Sequence, residues 1–414
     1  MYLESAVFEN FRNIDKFSCE LVNGVNIFYG NNAQGKTNVL EGIYLFAGGK
    51  SFRHAKERDM ICFEKENARI SISYVTAERQ NKMEMRLSRG VKKQMLKNGV
   101  KILKASEFIG NFKAVLFFPD HLGIVKNEPS VRRAFIDGAI SQISPSYLAN
   151  LMEYGKILEQ RNALLKNYVN YGASFDMTFS ILSEKLAVCA ARITSVRAKY
   201  LARLSEIVDI CLNDMTGSAE HVSFEYITSI SGSAGEELFD VTENEKRYRR
   251  ALSVNTEKEK ILGVTLAGAH KDDFEIKLNG HAAKLFCSQG QQRSIALAMK
   301  LAEGEIAREK SGEMPVFLFD DVLSELDAER KRYILSKLAD RQVIITSCAE
   351  SDFDKFIANA SKDLRRKRNV FVQMKIAFPF WEGIEVCRRQ WRKQEGGTSG
   401  IIAFPFGKGS SPKG

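Results

Sequence analysis

The sequence predicts an α/β fold: a sheet lobe with a mainly helical lobe inserted into it. Three observations carry this expectation. A glycine-bearing turn sits between an apolar strand and a helix near residue 30. A second apolar strand ends in two aspartates near residue 320. Long helical patterns fill much of the roughly 290 residues between them. A chain of 414 residues also exceeds what one hydrophobic core usually holds.

The first of these stretches has a direct physical reading. Val25 to Tyr29 is a short apolar run suited to a buried strand. It runs into Gly30-Asn31-Asn32-Ala33-Gln34-Gly35-Lys36-Thr37, which fits G-x-x-x-x-G-K-[ST]. A helix with Val39, Leu40, Ile43, Tyr44 and Phe46 as apolar positions follows. Strand, loop and helix in that order distinguish a phosphate cradle from a chance glycine turn. The glycines let successive backbone N–H groups point inward, and the helix N-terminus adds partial positive charge. Residues 30–37 are therefore expected to bind ATP. Lys36 is expected to reach the β- and γ-phosphates, and the Thr37 hydroxyl to hold Mg²⁺.

The middle of the chain reads as helical over 145–169 and about 174–214, with no heptad pattern sustained long enough for an extended coiled coil. Val316 to Phe319 then forms a continuous apolar run, as in a parallel strand covered on both faces, and ends in Asp320-Asp321. Carboxylates at the C-terminal end of such a strand lie at the usual ligand edge of an open α/β sheet. Asp320 is expected to support the Mg²⁺ hydration shell. Asp321 is expected to orient or deprotonate the attacking water, acting with Lys36 in catalysis. Ser324 to Asp327 opens another helix, with Ser324 or Asp327 as the N-cap. The expected organisation is a first part of the ATPase lobe over 1–115, a helical lobe over 116–260, a second ATPase part over 261–360, and an atypical, poorly ordered tail over 361–414.

Composition narrows the function classes. No apolar run of about 18 residues occurs, so no membrane span is expected. The N-terminus lacks the basic and apolar regions of a secretory signal. Seven scattered cysteines without a C-x-x-C pair fit a reducing cytoplasm and argue against a zinc site. The net charge is +10, but residues 361–414 hold twelve basic and four acidic side chains, which leaves +2 for the first 360. The overall charge is therefore no evidence by itself that the body binds nucleic acid. The tail also contains both tryptophans, Trp381 and Trp391, and repeats "IAFPF" at 376–380 and 402–406.

"SQGQQRSIALAMK" at 288–300 begins as a polar, uncharged, glycine-bearing cluster and continues as an apolar helix. The ordered set of P-loop, S-x-G-Q helix start, acidic strand end and S-x-L-D turn resembles the head domains of ABC-type ATPases. The resemblance implies that Ser288, Gly290 and Gln291 cap the γ-phosphate of an ATP bound by a partner subunit, in a homodimer that closes on ATP. "NFRNI" at 10–14, "FFPDHLGIVKNEPSVRRAFID" at 117–137, "YGKILEQRNALLK" at 154–166, "AGAHKDDFEIKLNG" at 267–280 and "LFDDVLSELD" at 318–327 resemble the RecF family in particular, over about residues 1 to 350. That resemblance implies a bacterial DNA replication and repair function. It implies binding at gapped duplex DNA (single- and double-stranded), help in loading RecA, and RecO and RecR as partners. Ala269 and Lys271 stand where the family usually has Pro and Arg, and the segment after "NVFV" (369–372) departs from its pattern.

Arg132, Arg133 and Arg161, with Arg192, Arg197 and Lys199, are candidates for a DNA-facing surface. Arg12 is a candidate to approach the nucleotide, Asp327 to contact the partner subunit, and Thr346-Ser347 to sense the γ-phosphate. The alternatives are a transporter-type ABC ATPase subunit, opposed by the helical insertion and the Asp-Asp strand end, and an overcoming-lysogenization-type ATPase–nuclease, opposed by the short, basic C-terminal segment.

Overall fold

In the computed structural model, residues 1–347 are described except positions 32, 78, 169–173, 218–219, 231–234 and 339, together with strand segments at 372–377 and 385–390. The chain starts with β1 (Tyr2–Phe11) and β2 (Ile14–Glu20). β3 (Val25–Tyr29) then leads through the glycine-bearing loop into α1 (Lys36–Gly48), as the sequence predicts. β4 (Asn67–Val75), β5 (Gln80–Ser88), β6 (Val91–Lys97) and β7 (Val100–Ile102) join the first two strands in an antiparallel sheet of order β2-β1-β4-β5-β6-β7. β8 (Ala114–Phe117) returns the chain to a second sheet.

Next come α2 (Pro129–Ile143), α3 (Pro145–Lys166) and the 43-residue α4 (Ser174–Thr216), then β9 (Val222–Ile227) and α5 (Val241–Leu262). β10 (Asp273–Leu278) and β11 (His281–Ala282) precede α6 (Gln289–Ser311). β12 (Val316–Asp320), α7 (Ala328–Leu338) and β13 (Val343–Ser347) follow, and β14 (Val372–Ala377) and β15 (Glu385–Gln390) come last.

The second sheet has the order β15-β14-β3-β13-β12-β8, with β14, β3, β13, β12 and β8 mutually parallel. Its strands are apolar throughout because both faces are covered. Alternation decides which side chain meets which layer. Phe28, Leu116, Leu318 and Ile344 pack with Val39, Leu40 and Ile43 of α1 and with the antiparallel sheet. Ile27, Phe117, Phe317 and Ile345 pack on the other side with Leu297 and Leu301 of α6 and Ile334 and Leu338 of α7. Gly304 permits that second contact: a Cβ there would lie 2.4 Å from Cζ of Phe317, well inside contact distance.

A third apolar cluster joins α2 to α5. It extends through Phe274, Ile276 and Leu278, because β10 pairs with β9 rather than with either six-stranded sheet. The expected boundary near 260 falls at the end of α5, and the segment after it shares one apolar cluster with these helices and with Ile295, Ala298 and Met299 of α6. Most of the expected tail, including both tryptophans, lies outside the described residues. Within it, β14 pairs in parallel with β3, and β15 in antiparallel with β14.

Candidate functional site

The ends of β3 and β12 lie at the same edge of the parallel sheet, separated by β13. Gly35 has φ 84° and caps α1, a conformation that favours glycine. The buried Lys36 ammonium donates to the carbonyls of Gly30 (2.7 Å) and Asn31 (2.8 Å). A charged phosphate oxygen competes well with such neutral partners. Among the described residues the Gln34 amide oxygen is enclosed without a hydrogen-bond partner, and the Ala33 carbonyl accepts from Asn13 (3.1 Å). Asn32 lies outside the described residues.

The Thr37 hydroxyl donates to Asp320 (2.9 Å), linking the two ends of the site across 283 residues of sequence. Thr346 at the end of β13 donates to the same Asp320 oxygen (2.7 Å), and the Asp321 amide donates to the Thr346 hydroxyl (3.1 Å) and carbonyl (3.2 Å). Burial pushes the Asp320 carboxyl up from its ordinary range, against the two threonine hydrogen bonds that favour its ionised form. Asp321 sits at φ 52°, in the left-handed region that aspartate tolerates better than most residues. Side-chain oxygens from Thr37 and Asp320 beside a phosphate loop are the donor set that suits Mg²⁺ held jointly with a nucleotide. The residues present therefore fit ATP with Mg²⁺.

Thr346 was a candidate sensor of the γ-phosphate. Instead it is buried and engaged by both aspartates, because β13 runs between the two halves of the site. Arg12 lies beside α1 and makes a two-pronged pair with the fully buried Glu41 (2.6 and 2.9 Å), which also accepts from Ser51 (2.5 Å). The sequence reading missed this brace. An acidic residue within the apolar stripe of α1 was the available signal.

The opening of α6 is a second element of the site. Ser288 is its N-cap and accepts from the Gln291 amide (3.2 Å), while the Gln291 side chain accepts from the Ser288 amide (2.8 Å), a reciprocal capping box. A Cβ on Gly290 would come 3.3 Å from the Arg330 guanidinium. Arg330 in turn donates to Ser294 (2.7 Å), and Arg293 donates to the Glu325 carbonyl (2.5 Å) and carboxylate (3.0 Å). The start of α6 is thus tied to the turn after β12. Among the described residues no hydrogen bond or ion pair joins 288–293 to the 30–37 loop, and Ser288 is exposed. Asp327 accepts from the Arg330 amide (2.9 Å) and caps α7. The Arg330 amide and side chain hold its carboxyl below the usual range.

The candidate DNA-facing arginines need correction. Arg161 is fully buried, bound to Glu259 (2.7 Å), Thr265 (2.8 Å) and Ser183 (3.0 Å), with its guanidinium 4.3 Å from the Phe179 ring centre. Arg132 is buried and pairs with both oxygens of Asp273 (2.8 and 2.6 Å). Arg133 is half-buried and donates to the Asp272 carbonyl (2.7 Å). Arg197 is buried against Asp137 (2.8 Å). The buried Arg132, Arg161 and Arg197 bind the helical lobe together rather than facing a ligand; Arg133 is half-buried, and Arg192 and Lys199 are exposed.

The 268–273 stretch is the centre of the same network. Buried Asp272 accepts from Thr194 (2.9 Å), Tyr226 (2.8 Å) and Tyr248 (3.1 Å). His270 meets the Tyr154 hydroxyl (2.6 Å), and burial pushes its imidazole down to about 4.

The RecF/RecN/SMC N-terminal domain matches residues 2–369. The DNA replication and repair protein RecF of Clostridium acetobutylicum is 40% identical over 363 residues, which cover 87% of this chain and 96% of that protein. RecF of Ruminiclostridium cellulolyticum is 38% identical over 359 residues, covering 86% and 95%. The solved structure of the recombination mediator protein RecF-ATP in the RecFOR pathway superposes with a TM-score of 0.80 at 35% identity, covering 90% of this chain and 95% of that one.

Proposed function

Because this chain belongs to the RecF family of DNA replication and repair proteins, with the fold of an ABC-type ATPase head, we propose that it works as an ATP-gated homodimeric clamp on DNA. In this reading two copies close over two nucleotides, and each contributes its 30–37 loop to one triphosphate and its Ser288, Gly290 and Gln291 to the other. The observation that carries it is the preformed α6 cap: Ser288 is exposed and Gly290 and Gln291 half-buried at the helix N-terminus, and among the described residues none of them bonds to its own chain's phosphate loop.

Lys36 and the N-terminus of α1 bind the phosphates. Thr37 and Asp320 would hold Mg²⁺, which neutralises phosphate charge when bound. Asp321 orients the attacking water. An aspartate carboxylate reaches one methylene less far than a glutamate, so turnover is slow and hydrolysis acts as a release switch, stimulated by DNA. Gapped duplex is the DNA form this reading favours, with RecO and RecR as partners in loading RecA, in the cytoplasm. Family membership along residues 2–369 favours this over a transporter subunit or an ATPase–nuclease.

Sedimentation velocity with a slowly hydrolysed ATP analogue and Mg²⁺, with and without gapped duplex, tests the reading. The parent should shift from monomer to dimer mass. Lys36→Met should lose both nucleotide and dimer, and Ser288→Arg should bind nucleotide yet stay monomeric. A parent chain that remains monomeric at saturating nucleotide, or a Ser288→Arg chain that dimerises normally, contradicts the proposal.

A further inference from the structure

The β5–β6–β7 ladder and the turns that join its strands carry an unbalanced charge. Residues 80–106 hold eight Lys and Arg side chains against one acid, Glu84. The first 360 residues together carry only +2, so the rest of that region is net acidic by five. The positive charge of the body is therefore concentrated here, on the antiparallel sheet rather than among the helical-lobe arginines.

Cross-strand register places much of this charge on one face. Arg69 lies opposite Arg86, Ser73 opposite Lys82, Arg86 opposite Gln94, and Leu96 opposite Lys101. Arg69, Lys82, Arg86 and Lys101 thus share the outer face, while Met83, Met85 and Met95 turn to the core. Glu84 sits among them and accepts from Arg69 (2.7 Å) and Arg86 (2.5 Å), and Glu9 lies 3.8 Å from Arg69. Two further cations are used locally: Lys93 pairs with Glu57 (2.9 Å) and Lys97 donates to Asn111 (2.5 Å). Lys82, Lys92 and Lys101 are exposed and make no ion pair among the described residues. An edge strand often carries lysine to block pairing with another chain. That explains Lys101 on β7 but not Lys82 on β5 or Lys92 near the β5–β6 turn.

We propose that this outer face, with Lys82, Lys92 and Lys101 as its free cations, docks the phosphate backbone of duplex DNA. Rise and strand spacing put Lys82 about 13 Å from Arg86 along β5 and Lys101 about 10 Å to the side, a span that covers several phosphates. Residues 80–106 contain no aromatic side chain, so the surface offers no platform for stacking unpaired bases. The inference rests on the clamp reading for the presence of DNA and adds where the backbone sits.

The test is fluorescence anisotropy of a labelled duplex against salt concentration, using the full chain with ATP analogue and Mg²⁺. Each lost phosphate contact lowers the slope of log affinity against log salt by about 0.9, so Lys82→Ala/Lys92→Ala/Lys101→Ala should lower it by up to about 2.7 and weaken binding at least tenfold near 0.1 M salt. The triple Lys→Arg variant should keep the parent slope. Fluorescent-nucleotide affinity and melting temperature should not change in either variant. A triple-alanine slope equal to the parent's overturns this surface while leaving the clamp intact. A parent that binds no duplex at any salt fails the clamp reading itself. Binding of phosphatidylserine vesicles in place of DNA, lost in the triple-alanine variant, would assign the face to a membrane and overturn the proposal.

Discussion

Arg161→Ala separates a structural role from a DNA contact at one position. Arg161 and Glu259 are both fully buried, 2.7 Å apart, on α3 and α5. Removing the arginine leaves an unpaired carboxylate in the interior, which costs about 3–5 kcal/mol. It also strips hydrogen bonds from Thr265 and Ser183 and the guanidinium from the Phe179 ring. Because a chain with several cores need not unfold in one step, the suitable assay is native-state hydrogen exchange resolved by peptide. Amides of α3 and α5 should lose about 10²–10³-fold in protection or more, at 1.4 kcal/mol per factor of ten, while β1 to β5 change little. Arg161→Met/Glu259→Met removes both charges and should recover most of the loss, since a buried pair is worth little over well-packed apolar groups. Unchanged protection in Arg161→Ala, together with a shallower salt dependence of DNA binding, would refute the structural assignment and restore Arg161 as a DNA ligand.

Three further outcomes follow from the geometry. Thr346→Val removes a hydrogen bond to Asp320 and one from the Asp321 amide. A lost bond to a charged group is worth about 1.5–3 kcal/mol, so phosphate release should slow about tenfold or more while nucleotide affinity stays within a few-fold; an unchanged kcat would show that the bridge does not position the acid. Gly304→Ala puts a methyl against Phe317 and should cost about 1–3 kcal/mol, read as a lower Tm by scanning calorimetry, and an unaltered Tm would contradict the close packing. His270 titrates near 4 when folded and near 6.5 when unfolded, so the unfolded state holds the extra proton between those values. Its contribution is complete above pH 6.5 and is lost as pH falls towards 4, by at most about 3 kcal/mol; the unfolding free energy of His270→Gln should fall less steeply across that window.

The phosphate loop and the strand carrying Asp320 were legible because their residue types are set by local backbone demands. Gly35 needs its positive φ, Lys36 and Thr37 need their place at the first turn of α1, and β12 is apolar because both of its faces are covered. The helix after 288–293 was legible from its apolar positions, but the capping box that Ser288 and Gln291 form at its start was not expected. The partners of the arginines were not. Asp273 lies 141 residues from Arg132 and Glu259 lies 98 from Arg161, and nothing in the local pattern distinguishes a paired buried arginine from one on an exposed face. The bridge that Thr346 makes to both aspartates was not legible because it depends on sheet order, which places β13 between the two ends of the site.

The placement of β3 has a consequence for biosynthesis. Its two hydrogen-bonding neighbours, β13 and β14, are both made long after it, and Ser347 pairs with Tyr29 across more than 300 residues of chain. At roughly 5–20 residues per second, the ribosome leaves this apolar segment with both edges bare for roughly 16–60 s. Antiparallel β1, β2 and β4 to β7 can zip up early from neighbouring sequence, but the phosphate loop acquires its frame only once β13 has been made. A nascent chain stalled before residue 343 would display an unpaired Val-Asn-Ile-Phe-Tyr strand, the kind of segment that chaperones shield and that aggregates when they do not.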